Sequence, residues 1–194
     1  MKTQSIMIVG VGGQGTLLAS KVLGAAMIAQ GYDVKVSEVH GMSQRGGSVV
    51  TYVRYGEKVH SPIVDIGQAD YLLAFEPLEA ARYLPHLSCE GTLVTNTHQT
   101  MPMPVITGAM KYPENIVEKL SERAKVIAVD ALKIAQQAGS PKAVNTVLLG
   151  VLASIMDIPE QVWQDALTQH VPPKFLELNR LAFHLGKTYK EERQ

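Results

Sequence analysis

Cysteine is almost missing from this chain: Cys89 is the only one in 194 residues. One thiol cannot close a disulfide within the chain or build a thiolate zinc site. Nor can it hold an iron–sulfur cluster, which takes four such ligands. A reduced, cytoplasmic setting is therefore the expectation. Net charge is missing too, since 18 basic residues balance 18 acidic ones. A surface that binds nucleic acid needs a basic excess to replace phosphate counterions, so nucleic acid is not an expected partner. No apolar run approaches the length of a bilayer span, and a membrane is not expected either. The run near the start, "SIMIVG", is too short for a signal peptide and passes straight into glycines. The closing "KTYKEERQ" mixes both signs and reads as a solvated tail.

What is present suits a globular core. Apolar residues make up 46% and charged residues 19%, and the length fits one α/β domain with a helical extension. "SIMIVGVG" has the pattern of a buried strand, and "GTLLASKVLGAAMIAQG" that of a helix closed by Gly31. "DVKVSEV", "SVVTYVRYG", "ADYLLAFE", "GTLVTNT" and "KVIAVDA" read as further strands. "PLEAARYLPHL", with Pro77 in its first turn, "PENIVEKLSERA" and "LKIAQQAG" read as helices, and "HQTMPMPVITG" as a proline-interrupted connector. From Asn145 onward every segment is helix-like. Strands alternating with helices predict a Rossmann-like, doubly wound, mostly parallel sheet over residues 1–144. A helical region over 145–194 completes a single domain.

"GVGGQG", Gly10 to Gly15, satisfies G-x-G-x-x-G between a strand and a helix. Gly10 permits the tight turn, Gly12 lets a ligand approach the backbone, and Gly15 lets helix and strand pack closely. Gly13 and Gln14 complete the loop, and the helix N-terminus beyond it offers N–H groups to an anion. Tight packing alone would also explain the glycines. A dinucleotide site needs an acid about 20 residues on, at the end of the second strand. Glu38 lies too far along and Asp33 precedes that strand, so the NAD pattern is incomplete.

A second feature is "SEVHGMSQRGGSV", Ser37 to Val49. Glu38, His40, Gln44 and Arg45 are crowded among glycines and serines on a backbone with few apolar side chains. Arg45 has the fork for a carboxylate or phosphate, and Gly46 and Gly47 leave backbone N–H groups accessible beside it. A salt bridge to Glu38 or to a neighbouring subunit would explain Arg45 equally well. His40 could act as an acid or base near neutral pH, although a histidine bonded to backbone carbonyls is the commoner outcome. Met42 reads as a flexible contact with a partner surface.

The glycine loop followed by "E-x-H-G-M-S-Q-R-G-G" resembles the gamma-type subunits and domains of the 2-oxoacid:ferredoxin oxidoreductases, nearest to their indolepyruvate branch. "NTVLLGVL" and "FLELNRLAFHLG" extend the likeness over nearly the whole chain. The resemblance implies a small subunit that holds no cofactor of its own. A large partner would carry thiamine diphosphate, Mg and iron–sulfur clusters. The assembled enzyme would decarboxylate a 2-oxoacid, transfer the acyl group to coenzyme A and pass electrons to ferredoxin. This subunit would be inactive alone. Glu38, His40 and Arg45 would carry its contribution to chemistry, and Gly41, Met42, Ser43, Gln44, Gly46 and Gly47 would form the loop facing the partner. Two other functions stay open: a free-standing NAD(P)-binding oxidoreductase, and a purely structural interaction subunit.

Other residues carry less. His60, His86, His98, His170 and His184 show no ligand spacing, though His98 and His170 could meet in the fold. Cys89 is expected in the core or at its rim, Asn145 at a helix N-cap, and Trp163 in packing.

Overall fold

A computed structural model describes residues 3–38 and 46–190. His40, Gly41, Met42, Ser43, Gln44 and Arg45 lie outside the described residues.

The first strand, β1 (Gln4–Val11), is buried along six central residues. It leads through the glycine loop into α1 (Thr16–Ala29), whose N-cap Gly15 takes a left-handed φ of 85°. β2 (Asp33–Glu38) and β3 (Ser48–Gly56) follow. β4 (Ala69–Ala74) then feeds α2 (Pro77–Tyr83), where the Glu76 side chain caps the helix by accepting from the Glu79 N–H at 3.0 Å. β5 (Leu87–Asn96), the short α3 (Met103–Ile106), α4 (Ile116–Ser121) and β6 (Lys125–Val129) come next. α5 (Ala131–Gln137) starts at Asp130, whose carboxylate accepts from the Lys133 N–H at 2.9 Å. α6 (Val144–Ser154), α7 (Glu160–His170) and α8 (Leu176–Lys187) form the helical region.

The six strands form one sheet in the order β2-β3-β1-β4-β5-β6. β1, β4, β5 and β6 pair in parallel, as βα alternation requires. β3 departs from that pattern: it lies between β1 and β2 and is antiparallel to both. The nine-residue connection 39–47 is too short for a parallel return. The sheet is thus a mixed one, with an antiparallel strand inserted into a doubly wound frame.

Alternation along β1 splits the core into two layers. Ile6 and Ile8 join α1, α5, α6, α7 and α8 on one face. Met7 and Val9 join α2 and α4 on the other. The helical region is therefore one face of the sheet's own core. α6 and α8 cross closely because Gly150 and Gly186 remove two side chains from the contact. A Cβ on Gly150 would lie 2.2 Å from the Phe183 carbonyl oxygen, and one on Gly186 2.1 Å from that of Val147. Trp163 is wholly buried against Phe183, ring centroids 5.6 Å apart. Packing does explain it.

Two local expectations change, and a third is narrowed. Asn145 does not cap α6, whose N-cap is Ala143; it sits inside the first turn. The helix expected over "PENIVEKLSERA" is confined to α4, because Asn115 ahead of it takes a left-handed φ of 55°. Cys89 is exposed on β5, at the rim and not in the core.

Candidate functional site at the carboxyl edge of the parallel strands

Parallel strands bring the loops that follow β1, β4, β5 and β6 to one edge. Four side chains and one backbone contact organise that edge.

The glycine loop is braced from within. The Gln14 Oε1 accepts from the Val11 N–H at 2.7 Å, and its Nε2 donates to the Thr100 hydroxyl at 3.3 Å and the Phe75 carbonyl at 3.5 Å. Gly10 is required there: a Cβ would stand 2.7 Å from Gln14 Oε1 and 3.0 Å from Phe75 Cβ. Gly13 has a φ of 97° and open space beside it. Gly15 faces Asn145, whose Nδ2 donates to the Gly15 carbonyl at 3.3 Å. From there a buried polar chain continues. The Asn145 Oδ1 accepts from the Thr146 N–H at 2.9 Å, the Thr146 hydroxyl donates to Asn179 Oδ1 at 2.6 Å, and Asn179 Nδ2 donates to the Phe175 carbonyl at 2.8 Å. The glycine loop is thereby tied to the entry of α8, residues far away in sequence.

Asn96 ties the strand ends together. Its Nδ2 donates to the Phe75 carbonyl at 3.4 Å, and its Oδ1 accepts from the N–H groups of Ala131 at 3.2 Å and His98 at 3.3 Å. Glu76 is buried at 1% exposure and accepts from three donors: Glu79 N–H, Thr100 N–H at 3.3 Å, and the Tyr112 hydroxyl. Burial and the Glu76 carboxylate together push the Tyr112 phenol well above its usual range. Between these groups lies a cleft of about 490 Å³. Gly13, Gln14, Asn96, His98, Lys142 and Asn145 are among its walls.

Both described ends of the polar loop reach this edge. At the entry, Ser20 on α1 donates its hydroxyl to Glu38 Oε1 at 2.8 Å. At the exit, the Gly47 carbonyl accepts from the Gly12 N–H at 2.9 Å. Gly46 carries a φ of 102° just before it. Ser48 donates to the buried carboxylate of Glu79, which also holds Arg82 at 3.2 Å. The two sequence motifs therefore meet, although they are separated by α1 and β2. His98 and His170 do not meet. His98 lines the glycine-loop cleft, whereas His170 lines a groove of about 590 Å³ with Ser20, Lys21 and Glu38.

The same geometry weakens a dinucleotide site. With β3 inserted, the end of β2 stands two strand spacings from β1, about 10 Å. Glu38 is bonded to Ser20 there, and the Gly12 N–H that would face a pyrophosphate is taken by Gly47.

Comparison with known proteins now decides the family. The model of the pyruvate ferredoxin/flavodoxin oxidoreductases matches residues 5–189. The chain belongs to that family. It is 43% identical to indolepyruvate oxidoreductase subunit IorB of Thermococcus kodakarensis, over 98% of each chain. It is 30% identical to ketoisovalerate oxidoreductase subunit VorA of Methanothermobacter marburgensis, over 84% of this chain but only 31% of that longer one. Among solved structures, the gamma subunit of a keto/oxoacid ferredoxin oxidoreductase from Geobacter sulfurreducens superposes with a TM-score of 0.70 at 25% identity, covering 94% and 95% of the two chains. The resemblance read from the two loops is borne out, and with it the α/β fold. No helix among the described residues is long and apolar enough to cross a membrane.

Sequence reasoning missed Glu76, Asn96, Thr100 and Lys142. Glu76 had a signal, an acid at a strand end directly before a Pro-initiated helix. The other three are set by which strand ends become neighbours, which one chain does not print.

Proposed function

We propose that this chain is the small, cofactor-free subunit of a thiamine-diphosphate-dependent 2-oxoacid:ferredoxin oxidoreductase acting on indolepyruvate or a related arylpyruvate. The observation that carries the proposal is the junction of the two motifs at Gly12 and Gly47. It gives the polar loop a fixed base at the sheet edge where α/β proteins place their ligands. Near-full-length similarity to the indolepyruvate subunits supports the substrate class.

The large partner would hold thiamine diphosphate with Mg, which would supply the nucleophile for decarboxylation, and clusters that would pass electrons to ferredoxin, with coenzyme A as the acyl acceptor. One cysteine leaves this chain unable to hold a four-thiolate cluster itself. Its own residues bind and orient. Arg45 presents a fixed positive charge to the 2-oxoacid carboxylate or a coenzyme A phosphate, and Glu38 and His40 hold it in place. Ser20 restrains Glu38, and Ser48, through Glu79, restrains the far stem.

The test is co-expression with the large subunit, followed by viologen reduction driven by arylpyruvates. The pair turns over, and the isolated chain is colourless and inactive. Turnover by the isolated chain, or an assembled pair inactive with every arylpyruvate, contradicts the proposal. If loop substitutions alter only assembly and never kinetics, the subunit is structural.

A further inference from the structure

Glu76 holds both ends of one excursion of the chain. Its Oε1 accepts from the Thr100 N–H at 3.3 Å and from the Tyr112 hydroxyl. Residues 100–112 thus form a loop closed on a single buried carboxylate. Inside it, the Met110 N–H donates to the Pro104 carbonyl at 2.9 Å, and α3 fills the middle. The loop is compact, built in the manner of an Ω-loop. Its outer surface is apolar: Met103 is 66% exposed, Ile106 65% and Met110 65%, with Met101 beside them. Three of the chain's eight methionines stand here. Across residues 97–112 there is no aspartate or glutamate, while His98 and Lys111 flank the apolar centre.

A surface this apolar on a pre-ordered loop marks a contact site, because water gains from its burial while ordering it costs little. Methionines suit such a site, being flexible and polarizable. We infer that this loop is the docking surface for the large subunit of the oxidoreductase, whose facing surface is apolar with an acidic rim. The inference rests on the function proposed above and names the surface it uses. Two observations select that occupant over a second copy of this chain. The VorA relative continues for more than twice the matched length, so in that protein the equivalent unit belongs to a larger chain. IorB, matched over 98% of its length, is named a subunit, so the same unit also occurs as a separate chain. The loop is also continuous with the cleft, since Thr100 receives the Gln14 amide. A partner seated on it would cover the edge where the glycine loop and Gly47 meet.

The experiment uses the two co-expressed subunits and a Met103→Asp/Ile106→Asp double variant. Both side chains are solvent-exposed, so the isolated variant keeps the wild-type melting temperature. Its apparent Kd for the large subunit rises about 30-fold, as loss of a hot spot would give. Met103→Ala/Ile106→Ala/Met110→Ala introduces no charge and raises Kd about tenfold by truncation of the same contacts. A wild-type Kd in both variants overturns the inference. So does a wild-type homodimer that these substitutions dissolve while the large subunit still binds. A wild-type pair that associates but reduces no viologen refutes the proposed function instead, and the Kd values still judge the surface.

Discussion

The Gly12 N–H donates to the Gly47 carbonyl at 2.9 Å, which continues the β1–β3 ladder and joins the glycine loop to the exit of the polar loop. This contact occupies the backbone donor that a dinucleotide would use. It therefore turns a familiar glycine pattern into a brace for the described exit of the polar loop at Gly47.

Gly15→Ala tests the other side of that brace. The left-handed backbone costs about 1–2 kcal/mol for a non-glycine residue, and the new Cβ would lie 2.5 Å from Asn145 Nδ2. The melting temperature falls by roughly 2–8 °C for a chain of this size. Because the two residues touch, Gly15→Ala/Asn145→Ala loses less than the sum of the single losses in a thermal double-mutant cycle.

Two helical glycines give opposite signs. Gly24 in α1 has its nearest neighbour at 3.8 Å, a Val36 methyl, so Gly24→Ala stabilises by about 0.5–1 kcal/mol. Gly150→Ala drives a methyl into the Phe183 backbone and destabilises by about 1–3 kcal/mol or more. Chemical denaturation of both variants measures the difference.

Stability falls at alkaline pH. Burial raises Tyr55, bonded to Gln4, and also Tyr112, bonded to Glu76, above the ordinary phenol. A raised folded-state value means that the protonated form is favoured by folding. The contribution is complete below pH about 10, the unfolded value, and is lost as pH rises beyond it. The wild-type melting temperature declines above that pH, and the decline is shallower in Tyr55→Phe.

Much of this was legible in the sequence. Apolar alternation located each strand, and the two loop motifs named the family. What one chain could not give was adjacency. The strand "SVVTYVRYG" looks the same whether it pairs parallel or antiparallel; the pairing shows it antiparallel to both neighbours, as the short connection 39–47 requires. Asn145 looked like a cap because caps and first-turn contacts use the same residue types. Only the fold brings it to Gly15. Glu76 stood unremarked at the end of the strand "ADYLLAFE", and only the fold brings Thr100 and Tyr112 back to its buried carboxylate.

The account depends most on Arg45 serving chemistry and not merely assembly. Steady-state kinetics of the Arg45→Ala complex, with 2-oxoacid and coenzyme A varied in turn, test this directly. Losing a buried charge-assisted contact costs roughly 2–5 kcal/mol, about 30-fold to several thousandfold in the constant concerned. The apparent KM for one of the two ligands rises by that factor while the complex stays assembled. Wild-type kinetics in an intact Arg45→Ala complex would contradict the account.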